Sequence, residues 1–93
     1  MIRIVFVDDE VNILQAMRRA MHSMRNEWNM EFLSSGDAAL DSLAKTPADV
    51  VVSDMRMPGM DGATLLGHIR DRFPATARIV RARLGRLSPE AAG

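Results

Sequence analysis

Short apolar runs alternate along the chain with stretches whose apolar positions recur every third or fourth residue. Ile2–Val7 is β-branched and apolar apart from Arg3, and it predicts a first strand. Over residues 11–25, Ile13, Leu14, Met17, Ala20, Met21 and Met24 recur at helical spacing and predict one apolar stripe. Methionine fills irregular gaps in cores, so these residues read as packing, not as soft-metal ligands. Residues 29–34 predict a second strand, with Trp28 a packing residue near its start. Ser35 and Gly36 introduce a short helix over residues 37–44, packed through Ala38, Leu40 and Leu43. Pro47 breaks the chain before a third strand at residues 50–53. After the Pro58-Gly59 turn, Asp61 is placed to cap a helix over residues 62–73, with Leu65, Leu66 and Ile69 inward. Pro74 stops that helix, and residues 77–80 open a fourth strand.

Alternation of this kind, β-α-β-α-β-α-β, predicts an α/β fold: a doubly wound parallel sheet with helices on both faces. Ninety-three residues make one small domain. A chain this short buries only about 60–65% of its unfolded surface. The absence of cysteine rules out a disulfide framework and a thiolate metal site. The apolar stretch at Met1–Val7 is too short for a signal-peptide core or a membrane span, so a cytoplasmic protein with no membrane partner is expected.

Net charge is zero but unevenly spread. Residues 1–69 carry six Lys/Arg against ten Asp/Glu, and residues 70–93 carry six Arg against two acids. A basic tail can mark a nucleic-acid binder. Without interleaved aromatics or a recognition-helix pattern, Arg70, Arg72, Arg78, Arg81, Arg83 and Arg86 read as a solvated helix end and an arginine-rich strand edge. Nucleic acid is not an expected partner.

The chemistry lies at the strand ends. Ligands of parallel α/β sheets bind beyond the carboxyl ends of the strands, where the strand order reverses. Asp8 and Asp9 follow the first strand, and Asp54 follows the third, 45 residues beyond Asp9. If those strands are neighbours, three carboxylates converge. Like charges so close repel, and a divalent cation relieves them. Oxygen-only ligands with open positions suit Mg²⁺, which often shares its sphere with phosphate. A carboxylate beside Mg²⁺ can attack phosphorus and form an aspartyl phosphate. On this reading Asp54 is the nucleophile, Asp9 the main metal ligand and Asp8 a water-bridged or second-sphere ligand. An adjacent Asp pair alone would be no more than solvated strand-end acid; the third acid at the matching position gives the pattern its meaning. Glu10 reads as a helix N-terminal acid. Met55, Arg56 and Met57 are expected on the rim, and His22 and His68 on helices away from the site.

The segments "VFVDDEVNIL" and "DVVVSDMRMPGMDG" resemble the receiver domain of two-component response regulators, over residues 1 to about 80. The resemblance implies a flavodoxin-like strand order of 2-1-3-4, leading in an intact receiver to a fifth strand. It implies that Asp54 accepts a phosphoryl group from the phosphohistidine of a sensor histidine kinase, and that Asp8, Asp9 and the backbone carbonyl of Arg56 hold Mg²⁺. It also implies a domain that assists its own phosphorylation and dephosphorylation, not a turnover enzyme. The wording "SDMRMPGMDG" is reminiscent of receivers joined to HD-GYP-type cyclic-di-GMP phosphodiesterases, although no such effector is recognisable in the sequence.

The receiver pattern stops after Val80. Ala82 stands where the resemblance places a hydroxyl residue, and Lys45, the nearest lysine, lies in the wrong element to serve as the one that ends a fifth strand. The fifth strand, its aromatic switch residue and the last two helices are missing from the pattern. A truncation or a change of reading frame near Arg81 would account for this. The expected organisation is a truncated receiver at residues 1–80 and an atypical tail at 81–93, with impaired switching. An unfinished sheet predicts a homodimer in which residues 77–87 pair or exchange between chains. The competing function is a non-signalling receiver remnant that serves self-association. A haloacid-dehalogenase-like phosphatase ranks lower, because Arg56 stands where its second Asp would be.

Overall fold

The computed structural model describes residues 1–81. Its elements follow in the order β1 (Ile2–Val7), α1 (Val11–Ala20), a 3-10 turn (His22–Met24), β2 (Trp28–Leu33), α2 (Gly36–Lys45), β3 (Val50–Asp54), α3 (Gly62–Arg72) and β4 (Ala77–Arg81). The four strands are all parallel and ordered β2-β1-β3-β4, the flavodoxin-like arrangement. Order reverses between β1 and β3: the chain moves outward from β1 to β2, then crosses back to β3 and on to β4. This is the switch point at which such sheets bind ligands.

The Ile4–Val7 part of β1 is apolar and buried throughout, as expected of a central parallel strand. Val5, Val7, Ala39, Leu40, Leu43, Val51, Leu65 and Ile69 form the core beneath α2 and α3. On β1 and β2, Phe6 and Phe32 stack with centroids 4.9 Å apart, and the Arg18 guanidinium of α1 lies 4.8 Å over the Phe32 ring.

Each of the two later helices starts on a side-chain cap, that of α3 being the Asp61 cap its sequence predicts. The Ser35 hydroxyl accepts from the Ala38 N–H at 3.1 Å, and Asp61 accepts from the Thr64 N–H at 2.8 Å. The first helix is shorter than the expected 11–25. It ends at Ala20, and the chain tightens through bonds such as Met24 N–H to the Met21 carbonyl, 2.9 Å. The His22 carbonyl in that turn accepts both the Arg25 backbone N–H at 3.2 Å and the Arg25 guanidinium at 2.9 Å. The predicted stripe therefore breaks: Leu14 is buried, Ile13, Met17, Met21 and Met24 are half-buried, and Ala20 is exposed.

At the amino end of the sheet the strands are fastened to one another. The Arg3 N–H donates to the Asp49 carboxylate at 2.8 Å, and the Asp49 N–H returns to the Arg3 carbonyl at 2.9 Å. The Ala77 N–H donates to the Asp49 carbonyl at 2.8 Å, and the buried Thr76 hydroxyl donates to the Ala48 carbonyl at 2.7 Å. β1, β3 and β4 thus start from one hydrogen-bonded point.

Candidate functional site

Strand direction delivers the acids to one place. β1 and β3 run side by side with Phe6 against Val52 and Val7 against Ser53, so the residues that follow emerge together at the carboxyl edge. There Asp8, Asp9 and Asp54 each bring a carboxylate oxygen to within 4.8 Å of the others. Asp8 and Asp54 are buried and Asp9 is half-buried. Three acids in so small a volume repel strongly once shielded from water, so the cluster favours a cation.

Asp8 is held on several sides. Its N–H continues the ladder to the Leu33 carbonyl of β2 at 3.1 Å. Its Oδ1 accepts from the Glu10 N–H at 2.8 Å, which fixes the residue that caps α1. Its Oδ2 accepts from the guanidinium of Arg81. Glu10 sits at the N-cap of α1, the helix-start position expected of it.

Asp54 is seated by its neighbours in sequence. The buried Ser53 hydroxyl donates to the Asp54 carbonyl at 2.9 Å. The loop then returns at once: the Gly62 N–H donates to the Met55 carbonyl at 2.8 Å, bringing the start of α3 against the strand end. Gly59 makes the turn at φ 73°, a conformation open to glycine. This turn tucks Met57 into the core, so it does not join Met55 and Arg56 on the exposed rim as expected. Exposed His22 and His68 lie on the 3-10 turn and on α3 and take no part in the acid cluster.

The sequence reading missed Arg81, which it assigned to a solvated strand edge. Arg81 lies in register with Asp54 across the β3–β4 pair. Its side chain is 30% exposed and meets an Asp8 that is 0% exposed. The residue that ends β4 emerges beside the residue that ends β3, a relation that only the pairing of the two strands supplies. Of the tail expected at 81–93, Arg81 ends β4, and Ala82 and residues 83–93 lie outside the described residues.

A doubly wound parallel sheet with a buried acidic cluster at its switch point defines a flavodoxin-like domain with a cation-seeking site. The chain belongs to the response regulator receiver domain family, whose model matches residues 4–86. It is 36% identical to the hydrogenase transcriptional regulatory protein HoxA of Cupriavidus necator, over 83% of this chain and 15% of that protein. It is 38% identical to the DNA-binding transcriptional regulator NtrC of Klebsiella pneumoniae, over 80% of this chain and 15% of that protein. The chain thus spans about 15% of the length of these curated relatives. Among solved structures it resembles the signal receiver domain of an HD domain-containing protein from Pseudomonas fluorescens. There the TM-score is 0.83 at 30% identity, covering 98% of this chain and 70% of that one.

The residues present fit the divalent ion that the family implies. Their donor set is oxygen-only and anionic, and the cluster already draws a cationic side chain onto Asp8.

Proposed function

We propose that Asp54 is the phosphoacceptor of a two-component receiver, charged by the phosphohistidine of a sensor histidine kinase in the cytoplasm. The observation that carries this reading is the convergence of Asp8, Asp9 and Asp54 within 4.8 Å at the switch point of a receiver-family sheet. In the transfer an Asp54 carboxylate oxygen bonds to phosphorus, the phosphorus–nitrogen bond breaks, and the electron pair stays on the donor imidazole. Asp8, Asp9, Asp54 and the Arg56 carbonyl would hold Mg²⁺, which when bound neutralises charge on the phosphoryl oxygens. The chain's own part is to bury the acceptor, orient it through the Ser53 and Gly62 contacts, and keep the acids together. It is an acceptor that assists its own chemistry, not a turnover catalyst.

Switching on phosphorylation is attenuated in this reading, because Ala82 offers no hydroxyl to the transferred group. Donors aimed at such a group in a dry site are worth several kcal/mol. The test is labelling by acetyl phosphate with and without Mg²⁺, followed by intact mass. One phosphoryl group should appear only with Mg²⁺ and should vanish in Asp54→Asn. Labelling that survives Asp54→Asn overturns the assignment.

A second reading, a self-association module, is favoured by Ile79 and Val80, which are 50% and 40% exposed on β4. Among the described residues β4 pairs with β3 alone. A homodimer through this edge is compatible with phosphotransfer.

A further inference from the structure

We propose that Arg81 is a tethered cation that occupies the acid cluster in the resting domain and must leave Asp8 before a divalent ion can bind. This inference rests on reading the cluster as the Mg²⁺ site. It concerns what that site holds beforehand.

The geometry carries it. Of the three clustered acids, Asp8 is the one with no exposed surface, and each of its carboxylate oxygens already accepts a bond. The Oδ1 bond, from the Glu10 N–H, belongs to the start of α1. The Oδ2 bond comes from the Arg81 guanidinium. A charge-assisted bond of this type is among the stronger polar contacts a domain can make. A magnesium ion demands near-octahedral geometry and keeps its own waters around it. A guanidinium pressed onto one of its acids occupies the space those waters need, and its charge repels the ion.

Arg81 can leave without unfolding anything. It is the last residue of β4, its side chain is 30% exposed, and its backbone stays paired with Asp54 when the side chain swings into water. Cation exchange at Asp8 would therefore release a positive charge at the end of the outer described strand. Metal occupancy at the switch point is thereby transmitted to β4 by displacement of a side chain that the sheet itself supplies.

The experiment is Mg²⁺ titration followed by backbone amide shifts of Asp8, Asp9 and Asp54, in the unsubstituted chain, Arg81→Gln, Arg81→Lys and Asp9→Ala. Loss of one charge-assisted bond that the metal would otherwise have to break predicts about tenfold tighter Mg²⁺ binding in Arg81→Gln. Arg81→Lys, which keeps the charge but not the planar fork, should fall between the two. Unchanged or weaker binding in Arg81→Gln overturns the competition. If neither chain binds Mg²⁺ saturably, or if Asp9→Ala binds as well as the unsubstituted chain, the metal-site reading fails first and the competition falls with it. Should Arg81→Gln not fold, the guanidinium resonances of Arg81 in the unsubstituted chain decide. Movement toward free-arginine positions as Mg²⁺ saturates supports displacement, and resonances unmoved at saturation overturn it.

Discussion

Gly62 lies so close to the backbone of Asp54 that a methyl group on it would meet the Asp54 carbonyl oxygen at 2.3 Å and the Met55 Cα at 2.8 Å. Both obstacles are backbone, and neither can turn aside as a side chain would. The same approach makes the Gly62 N–H to Met55 carbonyl bond, so the first turn of α3 is set directly on the strand end that carries the acceptor.

Gly62→Ala should therefore disturb stability and site together. Forcing the methyl group in should cost about 1–3 kcal/mol, the usual range for overpacking. Urea denaturation measures the loss. Acetyl phosphate labelling of Asp54 should slow in the fraction that remains folded. A variant that keeps its stability and its labelling rate would show that α3 can shift away from Asp54 freely.

The Asp61 cap predicts an acid-sensitive helix start. The backbone N–H of Thr64 is the first cause holding the Asp61 carboxyl below the usual carboxylate range, with a second contribution from the Thr64 side chain. A carboxyl whose folded value is depressed contributes stability that is present above its unfolded value and is lost as pH falls through the folded value. Thermal melts across the acid range should show Asp61→Asn, which keeps a capping oxygen, with a shallower decline than the unsubstituted chain. Parallel declines would mean that the cap contributes nothing through its charge.

Assembly can be tested through the exposed pair on β4. If that edge is an association site, light scattering on a sizing column should give a dimer at tens of micromolar, roughly the range in which an unprotected apolar edge associates. Ile79→Lys with Val80→Lys should return it to monomer while the amide spectrum stays dispersed. A stable folded monomer of the unsubstituted chain sinks the homodimer.

Much of this was legible in the sequence because local patterns and tertiary demands agree. The strand at Ile2–Val7, the helix introduced by Ser35 and Gly36, the Asp61 cap and the Pro-Gly turn each stand where expected. The three acids were legible because strand ends are fixed by where apolar runs stop. The length of α1 was not. Met21 and Met24 continue the helical period, but the bonds that tighten the chain after Ala20 override it. Met57 was hidden for a related reason, since only the path of the Gly59 turn decides whether it faces water or core. Arg81 was missed because its role depends on register across two strands, a relation absent from any local window.

The fastening at Arg3, Asp49 and Ala77 gives the sheet a fixed root and leaves the acids at its tip. Amide hydrogens around Asp49 and Ala77 can then remain protected from exchange while those near the acids open and close, because the two ends need not loosen together. The domain is built like a tuning fork gripped at the base: a change of charge at the tip would act on the free end of the sheet, away from the bonds that root it.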